Sequence, residues 1–176
     1  MPSEVRMRWT VADALSAIRI PLAAAFLVWD DARARLVLLG AAAASDLLDG
    51  TIARRFGASR LGAVIDPVAD KLFMASAFLV VLLSGRLEPF EIVGVLLRDI
   101  VATIAFGVTA ISGRAAAIPA RLGGKAVTVG QVLTLVGFLL QSPYLRPMAW
   151  ATAAVALYAI WDYQRAASGQ AKRLGE

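Results

Sequence analysis

The sequence predicts an all-α integral membrane protein of six transmembrane helices, with both termini in the cytoplasm. Three observations carry that expectation. Of the 176 residues, 59% are hydrophobic, well above the apolar share of a soluble domain. Several apolar stretches approach the roughly 20 residues needed to cross a bilayer. The connections between them are short and carry Gly, Pro or charge, so residues 1–176 read as a single membrane domain. A soluble helical bundle of this length has no core large enough to hide so much apolar surface.

The first segment, Val11–Trp29, follows a charged N-terminal stretch, MPSEVRMRWT, and lacks a small-residue cleavage site before charge returns at Asp30. It is therefore expected to be a retained span and not a removed signal peptide. The second segment is Leu36–Ala53, with an Ala-rich run at 41–45 that permits close helix contact. The third is Ala63–Ser84, the fourth Phe90–Ile111, the fifth Ala126–Gln141 and the sixth Tyr144–Tyr163. Trp9, Trp29, Tyr144, Trp150, Trp161 and Tyr163 lie near proposed ends, where interfacial anchors belong.

Orientation follows from the cations. Eleven fall at one set of ends: Arg6, Arg8, Arg54, Arg55, Arg60, Arg114, Arg121, Lys125, Arg165, Lys172 and Arg173. Four, Arg33, Arg35, Arg86 and Arg146, fall at the other. That bias places the first set in the cytoplasm. The net charge of +5 then reflects cytoplasmic loops and anionic membrane lipids, not nucleic acid. With no cysteine and no histidine, thiol chemistry, zinc fingers and a His general base are excluded.

The chemistry is concentrated in Asp46–Asp70, which reads DLLDGTIARRFGASRLGAVIDPVAD. Asp46 and Asp49 are three apart on the second segment, and Asp66 and Asp70 are four apart on the third. Either spacing puts both carboxylates of a pair on one helix face. The short loop makes the two helices antiparallel neighbours, so the four acids converge at one depth near the cytoplasmic interface. Acids this close repel strongly in a low dielectric, and acids inside a membrane face a functional interior. Oxygen ligands suit Mg²⁺ or Mn²⁺, and four of them can hold two ions about 4 Å apart to clamp a phosphate. Gly50 leaves room beside Asp49, Arg54 lies four residues further on, and Gly62 precedes Asp66 by four. Pro67 is compatible with Asp66 as an N-cap or with a bend. Taken singly, each Asp reads as a solvated helix end paired with Arg54, Arg55, Arg60 or Lys71.

At these residues the chain resembles the CDP-alcohol phosphatidyltransferase family. The family pattern, Asp-x-x-Asp-Gly-x-x-Ala-Arg followed by Gly-x-x-x-Asp-x-x-x-Asp, is met by Asp46, Asp49, Gly50, Ala53 and Arg54, then Gly62, Asp66 and Asp70. The spacer RFGASRL has seven residues where members commonly have eight. Leu15, Ser16 and Arg19 match the family's first-helix segment, while Ala12 and Asp13 stand where it commonly has Pro and Asn. The resemblance implies two metal ions on Asp46, Asp49, Asp66 and Asp70, gripping the pyrophosphate of CDP-diacylglycerol. It implies Asp70 as general base, with Gly50, Arg54, Ser59 and Gly62 contacting the CDP-lipid, and a homodimer in the bacterial inner membrane with its active site at the cytoplasmic face.

Arg98 and Asp99 fall inside the fourth segment, either as a structural ion pair or with Arg98 binding an anionic acceptor. Arg121 and Lys125 add cations at the same predicted side. The run GKAVTVGQ is similar to a segment of the members that use glycerol phosphate. Glycerol 3-phosphate is the acceptor this favours. Phosphatidylglycerol, as in cardiolipin synthesis, and inositol phosphate are the alternatives. Outside this chemistry, a divalent-cation or proton transporter and a structural membrane protein compete with the enzyme.

Overall fold

The computed structural model describes residues 10–56, 62–111 and 122–174. Among the described residues the chain is helical, with no strand: α1 (Val11–Ala17), α2 (Arg19–Val28), α3 (Ala32–Phe56), α4 (Gly62–Leu83), α5 (Pro89–Ile111), α6 (Leu122–Leu139) and α7 (Leu145–Leu174). Together α1 and α2 cover the first predicted segment. The interruption at Ile18 has a local cause: Pro21 has no N–H to give the carbonyl of Ala17, so the ladder lapses there. Ile18 keeps helical angles (φ −62°, ψ −23°), and hydrogen bonds from Ile18 to Ala14 and from Leu22 to Ile18 carry the helix on. Thr10 caps α1 in a reciprocal box, accepting from the N–H of Asp13 while the Asp13 carboxylate accepts from Thr10 N at 2.8 Å.

Val11–Val28 is one stretch of 18 residues, with mean hydropathy 1.8, that is long and apolar enough to cross a membrane by length and composition. Gly123–Leu139 is a shorter apolar helix. The helices α3, α4 and α5 carry Asp46 and Asp49, Asp66 and Asp70, and Arg98 and Asp99 within their lengths.

The helices fall into two compact units, Met1–Leu83 and Ser84–Glu176. In the first, α1 and α2 pack against α3 and α4. The buried positions of α1 and α2, Ala12, Asp13, Ser16, Arg19, Ala23 and Phe26, recur at helical period, so three polar residues stand on a core-facing stripe. On α3 the matching stripe is Leu38, Ala42, Ser45 and Asp49. Of the Ala-rich run, only Ala42 and Ser45 face the core. Phe26 and Phe73 meet edge to face at 5.6 Å below the polar level. Pro67 lies inside α4, which begins at Gly62, so Asp66 is a helical residue and not its N-cap. The missing Pro67 N–H leaves the carbonyl of residue 63, in the first turn, without its usual intrahelical donor.

In the second unit α7 packs on both α5 and α6. The close approaches use glycine. A Cβ on Gly94 would meet that of Ala153 at 3.1 Å, and one on Gly123 would meet that of Ala159 at 3.1 Å. Val127, Ala156 and Ala159 form the core at this seam. At the other end, Arg86 donates to the carbonyl of Phe138 at 3.3 Å and binds the C-terminal end of α6.

Candidate functional site

The site in the first unit is built around Arg19. It opens α2, just past the break at Ile18, and its side chain is 1% exposed. Each terminal nitrogen joins one aspartate of α3 to one of α4. Nη1 lies 3.0 Å from Asp46 and 3.7 Å from Asp70. Nη2 donates to Asp49 and, at 2.5 Å, to Asp66. Among the described residues, Nε is buried without a hydrogen-bond partner.

The four acids are not equivalent. Asp49 continues the buried stripe of α3 and its side chain is only 5% exposed, whereas those of Asp46, Asp66 and Asp70 are about half exposed. Ser16, one turn before Arg19 on the same face, donates to Oδ2 of Asp49 at 2.8 Å. One oxygen each from Asp46, Asp49 and Asp66 lies within 4.8 Å of the others. That all-oxygen set fits a hard divalent cation. Asp70 stands outside this triplet and meets the cluster through Arg19. Asp46, half exposed, and Asp49, buried, give the triplet one side open to a ligand and one anchored side.

Gly50 follows Asp49 on α3, and Gly62 opens α4. The backbone of Arg54 lies in the last turns of α3, while its side chain lies outside what is described. Ser59 and Arg121 lie outside the described residues.

The second unit holds Arg98 and Lys125. Arg98 Nη1 donates to Oδ1 of Asp99 at 2.6 Å, and Gln131 Nε2 donates to Oδ2 of Asp99 at 2.6 Å and to the carbonyl of Val95 at 3.1 Å. Arg98 and Asp99 are thus an ion pair tied from α5 to α6. A Cβ on Gly124 would lie 2.8 Å from Arg98 Nη2 and 3.2 Å from Tyr163 Oη, so the glycine makes room for both head groups. Lys125 is exposed on α6, and Thr128 Oγ1 donates back to the Gly124 carbonyl at 3.2 Å.

Sequence reasoning gave no separate role to Ser16, Arg19 or Gln131. The signal for the first two was the stripe Ala12, Ser16, Arg19, Ala23, Phe26: a serine and an arginine on the one helix face that must be buried. Asp13 also lacked a role, and its carboxylate closes the cap of α1.

Comparison with known proteins bears on the same residues. A family model for CDP-alcohol phosphatidyltransferases matches residues 9–161, spanning every element from α1 into α7. The chain is 37% identical over 135 residues to a Mycobacterium bovis protein carrying a provisional cardiolipin synthase name, covering 73% of this chain and 62% of that one. It is 34% identical over 104 residues to a Mycobacterium tuberculosis protein with a provisional phosphatidylglycerophosphate synthase name, covering 58% of this chain and 48% of the relative. Against the human cardiolipin synthase (CMP-forming) it is 37% identical over 79 residues, 42% of this chain and 26% of the human one. The chain therefore spans less than two thirds of the length of these relatives. With the family model running through both the aspartate helices and the Arg98 helix, the chain belongs to the CDP-alcohol phosphatidyltransferase family.

Proposed function

We propose that this chain is an integral membrane enzyme of phospholipid biosynthesis that transfers a phosphatidyl group from CDP-diacylglycerol to a glycerol hydroxyl, releasing CMP. The observation that carries the proposal is the gathering of Asp46, Asp49 and Asp66 within 4.8 Å, with Asp70 joined to them through Arg19. Large apolar side chains point outward on every long helix, Val28, Val37, Leu83, Ile104, Leu133 and Leu157 among them, which suits six membrane helices in lipid. The cation bias then supports cytoplasmic termini and a cytoplasmic active site.

Asp46, Asp49 and Asp66 would hold Mg²⁺ or Mn²⁺, with Asp70 serving a second ion. Such ions neutralise the pyrophosphate and stabilise charge that develops during displacement. The protein's own groups do the rest. Gly50 and Gly62 give the CDP moiety access to the helix backbones, with Arg54 and Ser59 beside it. Asp70 takes the proton from the acceptor hydroxyl as its oxygen bonds to the phosphorus next to the lipid. The bond from that phosphorus to the CMP oxygen breaks, and CMP leaves.

Lys125 and Arg121 favour glycerol 3-phosphate as acceptor, since two further cations suit a phosphomonoester. The pairing of Arg98 with Asp99 at 2.6 Å favours a second reading, phosphatidylglycerol, whose single phosphodiester charge asks less of Arg98. The relatives named for cardiolipin synthesis agree with that second reading. A homodimer accords with the extensive outward apolar surface.

The test is to supply the purified protein in lipid with CDP-diacylglycerol and, in turn, glycerol 3-phosphate, phosphatidylglycerol or inositol phosphate. CMP release with phosphatidylglycerol phosphate or cardiolipin as product assigns the acceptor. Transport of divalent ions across liposomes, with no CMP released in any arm, would replace the enzyme by a transporter.

A further inference from the structure

Arg19 is a cation that the chain itself places among its carboxylates. The stripe it stands on is apolar at Ala12, Ala23 and Phe26, so no packing requirement of the helix calls for an arginine there. Nη1 spans Asp46 and Asp70, and Nη2 spans Asp49 and Asp66, so each nitrogen ties α3 to α4. Among the described residues, the Nε hydrogen is buried without a partner. The guanidinium is therefore held through the aspartates and not by a bond to its own helix.

We infer that Arg19 is a positioning residue that acts as a resident counter-cation, holding the four carboxylates together and competing with a divalent ion for their oxygens. The inference rests on the reading of Asp46, Asp49 and Asp66 as metal ligands. One positive charge among four carboxylates relieves repulsion that would otherwise spread α3 from α4. A hard divalent ion requires the same oxygens and is repelled by a guanidinium already bonded to them. Loading must therefore loosen Arg19, and Ser16 keeps Asp49 oriented while that happens. Lysine cannot replace this clamp, because one ammonium lacks two separate nitrogens on a rigid fork.

The experiment is titration with Mn²⁺ alone, by calorimetry, of the full chain in lipid nanodiscs, beside thermal unfolding without metal. Arg19→Met should bind Mn²⁺ about tenfold or more tightly than wild type, the scale of one like charge removed from contact. Its metal-free form should unfold at a lower temperature. Arg19→Lys should recover wild-type Mn²⁺ affinity but not the wild-type metal-free unfolding temperature. In the wild-type chain, nitrogen-15 signals of the Arg19 guanidinium should shift as Mg²⁺ is added, a readout that stands if Arg19→Met does not fold. Unchanged or weaker Mn²⁺ binding in Arg19→Met, or an Arg19 signal that ignores bound Mg²⁺, overturns the competition. Absence of Mn²⁺ binding in both wild type and Arg19→Met overturns the metal-ligand reading itself, and the competition with it.

Discussion

Ser16 and Asp49 meet across the contact of α1 with α3, the serine hydroxyl donating to Oδ2 of the aspartate at 2.8 Å. The same oxygen receives Nη2 of Arg19. Asp49 is the one member of the cluster sunk in the core, so its orientation is set by groups that do not touch solvent. Ser16→Ala removes one of those groups and leaves a buried carboxylate oxygen with a partner fewer. Outer-shell losses of this kind weaken metal binding by about 10–100-fold. Mn²⁺ titration of the variant should show that loss, and Ser16→Thr, which keeps the hydroxyl, should restore most of it. Wild-type affinity in Ser16→Ala would remove Ser16 from the site.

The proposed division of labour separates Asp70 from the other three acids. Asp70 lies outside the close triplet and is half exposed, a position open to an incoming hydroxyl. Asp70→Asn should keep much of the Mn²⁺ and CDP-diacylglycerol binding while CMP release falls by about 10²–10⁴-fold, the worth of a general base. Asp46→Asn and Asp66→Asn should lose Mn²⁺ binding and turnover together. Full CMP release by Asp70→Asn would end the assignment of the base.

How much of this was legible in the sequence depends on what sets each feature. Local periodicity and apolar run length mark helices, and the described helices start and stop within a few residues of the predicted segments, except that α7 runs on past the predicted end at Tyr163 to Leu174. The break within the first segment has a single-residue cause. Pro21 deprives the Ala17 carbonyl of its partner, and the first segment breaks at Ile18. Carboxylate spacing of three and four was enough to place each aspartate pair on one helix face. The partner of those pairs was harder to read. Arg19 lies 27 residues before Asp46, and only the packing of α1 and α2 on α3 and α4 brings it there. Its fit to the apolar stripe was visible, but a stripe says which face is buried and not what waits opposite. Gln131 is the same case in the second unit: its role depends on Asp99, 32 residues away on α5.

Removal of metal gives a prediction that needs no variant. If the oxygen triplet holds Mg²⁺ or Mn²⁺, EDTA should abolish CMP release, and either ion should restore it. Ca²⁺, which prefers longer bonds and more ligands, should restore it poorly. Activity that survives exhaustive chelation would separate the aspartates from metal chemistry and leave Arg19 as their working cation.

Gly124 offers a way to move Arg98 without deleting it. A Cβ there would come within 2.8 Å of Nη2, and the obstructed atom is the far end of a flexible side chain. Gly124→Ala should therefore fold, with Arg98 displaced from its place beside Tyr163. If Arg98 serves the acceptor, kcat/KM for the acceptor should fall by up to about 100-fold, the cost of a misplacement of about 1 Å. Mn²⁺ affinity should not change. Unaltered acceptor kinetics would leave Arg98 with its structural partnership alone.

Gln131 tests that structural partnership. Its side-chain amide is buried and satisfies both the Val95 carbonyl and Oδ2 of Asp99, so it joins α6 to α5 by two bonds. Gln131→Leu keeps the bulk but takes the donor from Oδ2 of Asp99, at a cost of about 1–3 kcal/mol for the unsatisfied oxygen. Gln131→Glu should be worse, since it sets a second carboxylate against Asp99 where a donor stood. Asp99→Asn removes the charge that Gln131 serves. The double variant Asp99→Asn with Gln131→Leu should therefore be more stable than the sum of the two single losses implies. Thermal unfolding of the four proteins decides it. Strict additivity would mean that the 2.6 Å contact between Gln131 and Asp99 carries no coupling, and that Arg98 alone holds Asp99 in place.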